Sequence, residues 1–302
     1  MHLQTISNHS NQTNYLTNFV SLTKFVLSFA VSLSALFVYS IAKGDFDMRG
    51  AAITAAVLLV AMGVSALNQV QEYPSDALME RTRHRPVVSG AISPTGAILI
   101  AALLIAASLL LVYSQIGMIG VDLFLFAFIW YNAVYTPLKK KTAFAVLPGA
   151  LLGIIPPAVG WIAGGEPLFT LDFFAIAIFY FIWQVPHFWL LVMLYHSDYE
   201  RGGYPSALRF FGKNSLQKIT FVWLMLTIDS GIFWVYIFEP YSKIILFLLI
   251  VVGIWGFVAS LPLLKEDFEL KDAKRVFWHI NLAFWSVSIL LAVDAYISHH
   301  VA

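Results

Sequence analysis

The chain alternates long apolar runs with shorter polar connections. The runs occupy residues 19–42, 51–67, 92–113, 116–134, 143–163, 173–194, 219–238, 244–264 and 276–297. Each has about the 20 residues that an α-helix needs to cross a bilayer. Gly, Ala and Leu fill the runs without the apolar–polar alternation of barrel strands, so helices are the expected spanning elements. The pattern predicts an all-α membrane protein with nine transmembrane helices.

Composition leaves little room for a domain outside the membrane. The 302 residues are 60% hydrophobic and 12% charged, which excludes a water-soluble globular protein. We therefore expect a short polar tail at residues 1–18 and one polytopic domain at residues 19–302. A net charge of +1 argues against a nucleic-acid partner, because such a partner requires a concentrated basic surface. The chain has no cysteine, so thiolate chemistry is excluded.

Basic residues are distributed unequally between the two ends of the predicted helices. Fifteen of the 18 Lys and Arg residues fall on one side, and the positive-inside rule places that side, with the N-terminus, in the cytosol. Two connections on this side are unusually long, at residues 68–91 and 195–218. Each follows the second helix of a group of four. This layout suggests two four-helix halves plus one extra helix, with a site between the halves.

The first long connection carries a regular series of oxygen-bearing side chains. Asn68, Glu72, Asp76 and Glu80 are four residues apart, so on one helix they would form a single stripe. Like charges at this spacing repel each other, and something positive should compensate them. The arginines at residues 81–85 could do so as a solvated charged loop. Alternatively, Mg²⁺ could bind the oxygens, leaving the arginines free for phosphate.

A proline interrupts this stripe. Pro74 lies between Glu72 and Asp76, and proline removes a backbone donor and clashes with the preceding helical turn. We therefore expect the helix to kink or end near Tyr73.

Other charged segments have two interpretations each. Asp198 lies in the second long connection, where it is either part of an ordinary polar turn or the counterpart of the first-loop acids. The lysines at residues 139–141 either anchor a helix end against anionic lipid or neutralise a diphosphate. His187 is either a buried structural histidine or a contact for an aromatic or haem-like molecule. Asp229 and Asp294 lie inside predicted helices, where ionisable groups are functional candidates.

Several of these segments together resemble the UbiA-type intramembrane prenyltransferases, and most closely the branch of that family that makes haem O. In the first loop the resemblance rests on Asn68, Asp76, Met79, Arg81, Thr82, Arg85 and Pro86. Further similar segments are residues 135–139, 153–161, 183–187 and 198–205. Glu72 stands where the branch carries Asp, which keeps the negative charge on a longer side chain.

The resemblance implies Mg²⁺-dependent transfer of a farnesyl group from farnesyl diphosphate to a vinyl group of haem B, making haem O for terminal oxidase assembly. It implies a bacterial cytoplasmic membrane, an active site that faces the cytosol, and entry of the farnesyl tail from membrane lipid. The implied catalytic residues are Glu72, Asp76 and Asp198, and these three acids with Asn68 are the implied Mg²⁺ ligands. The implied substrate-binding residues are Asn68, Arg81, Arg85, Tyr135, Lys139 and His187.

Other functions stay open at this stage. The same chemistry could act on a quinone precursor or another aromatic acceptor. A catalytically silent haem-binding membrane factor is a further alternative. A proton-coupled transporter is disfavoured, because most acids lie in the cytosolic connections and not near the middle of the bilayer.

Overall fold

In a computed structural model, residues 15–301 are described and are folded into helices and turns. Nine of the helices in this range are long and apolar enough to cross a membrane. They are α1 (Phe25–Lys43), α2 (Met48–Asp76), α3 (Pro94–Ile116), α4 (Met118–Leu138), α5 (Ala143–Gly164), α6 (Leu171–Leu194), α7 (Lys213–Phe238), α8 (Lys243–Leu264) and α9 (Leu270–Val301). The prediction of an all-α, multi-pass membrane protein is confirmed.

The N-terminal boundary differs from the sequence pattern. Most of the predicted tail at residues 1–18 lies outside the described residues, and its last four residues begin a helix, Tyr15–Leu22. This helix and α1 are separated by Thr23 and Lys24. Lys24 has a φ of 47°, a left-handed conformation that a right-handed helix does not accommodate. The apolar run that starts at residue 19 is therefore divided, and the membrane helix begins at Phe25.

Three of the nine helices contain turns that are not α-helical; α8 ends in a 3₁₀ segment, Leu261–Leu264, and the other two are α4 and α5. The C-terminal part of α4 contains a π-helical turn, Trp130–Tyr135, and α5 contains 3₁₀ segments at Ala143–Ala145 and Leu151–Ile154. Prolines in α5 lack the backbone donor that regular helical bonding requires. Irregular backbone at membrane depth is tolerated where other helices or a cavity surround it. The π-helical turn of α4 and the first 3₁₀ segment of α5 lie beside the candidate site described below.

Close helix packing depends on small residues. A Cβ atom at Gly160 of α5 would lie 2.2 Å from the carbonyl oxygen of Ala35 on α1, so only glycine allows this approach. Without a hydrophobic driving force between helices in lipid, such close backbone contact is a main source of association. The last helix, α9, contacts α1, α6 and α8. The bundle is therefore closed between its first and last spans.

The structure separates two aspartates that the sequence could not distinguish. Asp294 is buried in α9 and accepts hydrogen bonds from the backbone N–H groups of Tyr241 and Ser242 at 2.8 and 2.9 Å. It therefore holds the N-terminus of α8 and has a structural role. Asp229 lies on the exposed face of α7. It belongs neither to a buried pair nor to the cavities described below.

Candidate active site

Three oxygen-bearing side chains line up near the end of α2. Asn68, Glu72 and Asp76 are all buried, with at most 4% of their surface exposed. Of the two outcomes expected near Tyr73, a kink or an end, the end is excluded, because the helix continues through Pro74 to Asp76. Pro74 is the third residue from the end, and it removes a backbone bond only from the final turn. The turns that carry the other members of the stripe remain intact.

The fourth member of the predicted stripe lies elsewhere. Glu80 follows the end of α2 in a run of turns, is exposed, and forms ion pairs with Arg83 at 3.7 Å and Arg201 at 3.1 Å. The expectation that four oxygen ligands face one way is therefore wrong for Glu80. The acidic stripe consists of three residues.

A cation faces each of the three side chains. Lys24 donates to Asn68 Oδ1 at 3.1 Å. Lys139 pairs with Glu72 at 2.5 Å, and Arg85 pairs with Asp76 Oδ2 at 2.5 Å. These three cations come from the N-terminal segment, the connection after α4 and the first long loop. The tertiary structure thus collects opposite charges that are far apart in the chain, and the buried acids are compensated.

Burial and neighbouring charges shift the pKa values of two of these cations in opposite directions. Burial, with the positive charges of Arg85 and Lys139, lowers the pKa of Lys24 to about 7. Burial also opposes the charged form of Lys139, but the adjacent Glu72 carboxylate outweighs it, so the pKa of Lys139 lies above its ordinary value. Lys139 therefore stays charged at neutral pH, whereas Lys24 is close to the pH at which it loses its proton.

The second long connection is bound directly to the first. The backbone N–H groups of Glu80 and Arg81 donate to the two oxygens of Asp198 at 2.9 and 3.3 Å. The Tyr204 hydroxyl donates to Glu72 at 3.3 Å. The two loops therefore cover the same end of the bundle, with Asp198 holding them together and Tyr204 reaching the buried acids. In this arrangement the Asp198 carboxylate is engaged by backbone amides.

The π-helical turn of α4 supplies another wall of the site. It places Tyr135 below the Lys139 ammonium, which lies 5.3 Å from the ring centroid. Directly after the turn, the Thr136 hydroxyl accepts a hydrogen bond from the Asn68 amide at 3.2 Å. Tyr135 also contacts Phe188 of α6, with ring centroids 6.4 Å apart. The turn thus connects the acidic stripe with the aromatic side of α6.

The Arg81 side chain forms no ion pair with the acids of the candidate site. Its guanidinium lies over the Tyr195 ring at 4.7 Å, and within residues 15–301 it pairs with no carboxylate. Its side chain is exposed. Unlike Arg85, it is free to bind an anion that arrives from the membrane surface.

His187 is oriented by hydrogen bonds deeper in the bundle. The Asn281 amide nitrogen donates to the Phe277 carbonyl, which turns the Asn281 oxygen toward His187 Nδ1 at 2.8 Å. An oxygen can only accept, so Nδ1 carries the hydrogen and Nε2 carries the lone pair. The ring lies between Trp183 and Phe277, with centroids 4.8 and 5.0 Å away. His187 belongs to an aromatic wall and does not join the acid cluster.

Two cavities lie near the residues described above. The larger, about 960 Å³, lies among α6, α7, α8 and α9, and Glu239 is its only charged lining residue. Its lining suits hydrocarbon and not diphosphate. The smaller, about 680 Å³, lies between the connections after α4 and α6, beside Tyr204. The polar chemistry is therefore concentrated at the loop end of the bundle, and the larger of these two cavities is apolar.

The oxygen donors fit a hard divalent cation in chemistry. Carboxylate and amide oxygens are the ligands that Mg²⁺ prefers, and Asp76 Oδ1 is buried without any hydrogen-bond partner, an unsatisfied acceptor that a cation would satisfy. Among residues 15–301, no three His, Cys, Asp or Glu side chains are arranged as a metal site. Lys24, Arg85 and Lys139 instead contact Asn68 Oδ1, Asp76 Oδ2 and Glu72 Oε1, and a bound metal would have to replace part of this compensation.

Sequence reasoning missed four residues at this site. Lys24 and Thr136 contact Asn68, Tyr204 contacts Glu72, and Asn281 orients His187. No local spacing connects them with their partners, which are 44 to 132 residues away. The available signals were only weak, such as a polar Asn281 inside an apolar run.

Comparison with known proteins agrees with this geometry. The chain matches a model of the UbiA prenyltransferase family over residues 28–287. The protoheme IX farnesyltransferase of Oleidesulfovibrio alaskensis is 33% identical over 91% of this chain and 95% of its own length. That of Christiangramia forsetii is 32% identical over 96% and 97%.

Solved structures show the same fold. A digeranylgeranylglyceryl phosphate synthase has a TM-score of 0.74 at 17% identity and covers 93% of this chain and 98% of its own. A UbiA homologue from Archaeoglobus fulgidus, bound to DMAPP and Mg²⁺, has a TM-score of 0.71 at 15% identity and covers 94% and 100%. The family match includes most of the chain and all nine spans in whole or in part, and the chain belongs to the UbiA prenyltransferase family.

Proposed function

We propose that this protein transfers a farnesyl group from farnesyl diphosphate to a vinyl group of haem B and so makes haem O. The observation that carries the proposal is the buried stripe of Asn68, Glu72 and Asp76, faced by three cations beneath two joined loops. Such a set of oxygens and cations suits a metal-bound diphosphate. Haem B is proposed as the acceptor because protoheme IX farnesyltransferases are similar to nearly the whole chain.

The residues have distinct proposed roles. Asn68, Glu72, Asp76 and Asp198 would hold Mg²⁺, which supplies charge neutralisation for the leaving diphosphate. Arg85 and Lys139, displaced from the acids, would contact diphosphate oxygens, and the exposed Arg81 would add a further contact. These groups favour breaking of the C–O bond because negative charge accumulates on diphosphate as it leaves.

The carbon chemistry belongs to the interior of the bundle. The C–O bond of farnesyl diphosphate breaks with its electron pair going to diphosphate, and the farnesyl carbon bonds to the vinyl group. Water then adds to the acceptor carbon and loses one proton, which gives the hydroxyethylfarnesyl group. Tyr135 and His187 lie along the aromatic wall that would face the acceptor. Such a wall excludes water until the bond has formed.

The distribution of Lys and Arg supports a cytosolic position for the joined loops, in the cytoplasmic membrane of a bacterium. Farnesyl diphosphate could then place its charged head at the membrane surface while its tail enters from lipid. No part of this orientation requires a soluble domain.

The test is reconstitution. The purified protein is incubated with Mg²⁺, haem B and farnesyl diphosphate, and the product is identified by mass spectrometry. We expect farnesylated haem from the wild type and none from Asp76→Ala, while Glu266→Gln, which changes an exposed acid outside the site, stays active. A folded wild type that prenylates a benzoate or quinone precursor and never haem would contradict the proposed acceptor.

A further inference from the structure

A polar pocket lies beside the acidic stripe and plays no part in diphosphate binding as proposed above. We call it the loop pocket and define it by Lys141, Thr142, Phe144, Tyr204, Arg209 and Phe210. It encloses about 680 Å³, a size typical of small-molecule sites. Tyr204 is shared: it lines the pocket and its hydroxyl contacts Glu72. The pocket therefore adjoins the diphosphate end of the site through a single side chain.

The loop pocket contains two cations that the protein leaves uncompensated. Within residues 15–301, no carboxylate lies within 4 Å of the charged groups of Lys141 or Arg209. This differs from Arg85 and Lys139, which are both paired with acids. One acid, Glu200, also lines the pocket, and its partner is His196 at 3.4 Å. The lining thus has an excess of positive charge.

Aromatic side chains adjoin these cations. The rings of Phe144 and Phe210 meet edge to face, with centroids 5.1 Å apart, and both remain exposed, at 42% and 66%. An exposed aromatic pair beside two free cations is complementary to an amphiphile with a flat apolar body and anionic groups. Farnesyl diphosphate does not match this description, because its apolar part is a flexible chain.

We infer that the loop pocket binds the carboxylate edge of the tetrapyrrole acceptor, with Lys141 and Arg209 pairing with its two propionates. Phe144 and Phe210 contact the adjoining part of the macrocycle. This inference rests on the proposed function, since haem B is the flat dicarboxylate that the reaction requires. The pocket then orients the acceptor relative to the diphosphate, because Tyr204 separates the two sites.

The test compares haem B with its propionate dimethyl ester, which has the same macrocycle without the negative charges. Binding is measured by Soret absorbance titration of the full protein in phosphatidylcholine nanodiscs, and turnover is measured with farnesyl diphosphate. The variants are Lys141→Gln, Arg209→Gln and their combination. Lys265→Gln is the matched control, because Lys265 is exposed, unpaired and outside the pocket.

The double variant is expected to bind haem B roughly threefold to tenfold more weakly, as the loss of two partly exposed ion pairs predicts. Its affinity for the dimethyl ester and its KM for farnesyl diphosphate should match those of Lys265→Gln. Equal weakening for both acceptors, or no weakening, overturns the inference. The titration is repeated in nanodiscs that contain phosphatidylglycerol, an anionic lipid. If the double variant weakens haem binding only there, the inference is also overturned, because the cations would then bind lipid headgroups.

The outcome is separable from that of the proposed function. A wild type that discriminates between haem B and its ester, loses this discrimination in the double variant, but makes no farnesylated haem supports the carboxylate site and contradicts the proposed reaction. If the wild type farnesylates haem B and the double variant binds haem B as tightly as the wild type does, the proposed reaction is supported and the carboxylate site is contradicted.

Discussion

Asp198 joins the two long loops through two hydrogen bonds, and the substitution Asp198→Asn removes one of them. Its two oxygens accept the backbone N–H groups of Glu80 and Arg81 at 2.9 and 3.3 Å, and only 7% of the residue is exposed. In Asp198→Asn one oxygen remains as an acceptor, but an NH₂ group faces the other backbone donor. The variant therefore loses at least one charge-assisted bond and leaves one amide without an acceptor.

The expected size of this loss follows from the chemistry of the bond. Hydrogen bonds to charged groups contribute about 1.5–3 kcal/mol, and about 1.4 kcal/mol corresponds to a tenfold change in an equilibrium. The open arrangement of the loops should therefore become about 10 to 150 times more populated. Because the bonds involve backbone amides, the change is directly visible in amide hydrogen exchange.

The assay is hydrogen–deuterium exchange with mass spectrometry on peptides that cover residues 78–84. Exchange should accelerate there in Asp198→Asn, with little change in the membrane helices. Glu200→Gln is the matched control, because Glu200 lies two residues along the same segment but contacts His196 and not the first loop. If residues 80 and 81 exchange in Asp198→Asn as they do in the wild type, the joined-loop arrangement is refuted.

The same variant also tests the proposed ligand role of Asp198. If Asp198 holds Mg²⁺ during the reaction, the Mg²⁺ concentration for half-maximal activity should rise about tenfold or more. Faster exchange with an unchanged Mg²⁺ requirement would assign Asp198 to positioning of the loops alone.

Three further predictions concern other parts of the bundle. Gly160→Ala should lower the free energy of unfolding by at least about 1–3 kcal/mol, and with it the thermal unfolding temperature, because the new Cβ would lie against a backbone carbonyl of α1. Gly253→Ala is the control, because a Cβ there would meet open space. Equal unfolding temperatures for the two variants would contradict the packing. Asp294→Ala should cost about 1.5–3 kcal/mol of stability, because the backbone N–H groups of Tyr241 and Ser242 before α8 lose their charged acceptor, with farnesyl transfer by the folded protein unchanged. Tyr204→Phe should raise the KM for farnesyl diphosphate about fivefold and should also lower the unfolding temperature, by the equivalent of about 1.5–3 kcal/mol, because the buried Glu72 carboxylate loses a hydrogen bond; an unchanged KM would assign Tyr204 a structural role alone.

Local pattern accounts for the membrane helices. The nine apolar runs predict the nine spans within a few residues in most cases, because a helix in lipid must satisfy its own backbone and needs about 20 apolar residues to do so. At two places the outcome depended on the conformation or position of a single residue. Lys24 in a left-handed conformation divided the first run, and Pro74 interrupted the last turn of α2 too late to end it.

The sequence by itself determined which oxygen donors share a face, since Asn68, Glu72 and Asp76 are spaced at one helical turn. Only the tertiary structure decided what lies opposite them. Lys24, Lys139 and Tyr204 approach from three other segments, and Glu80 leaves the stripe to pair with Arg201. The physical reason is range: hydrophobic periodicity and backbone bonding act within a few residues, whereas compensation of a buried charge depends on whichever distant groups the packed helices bring within about 4 Å.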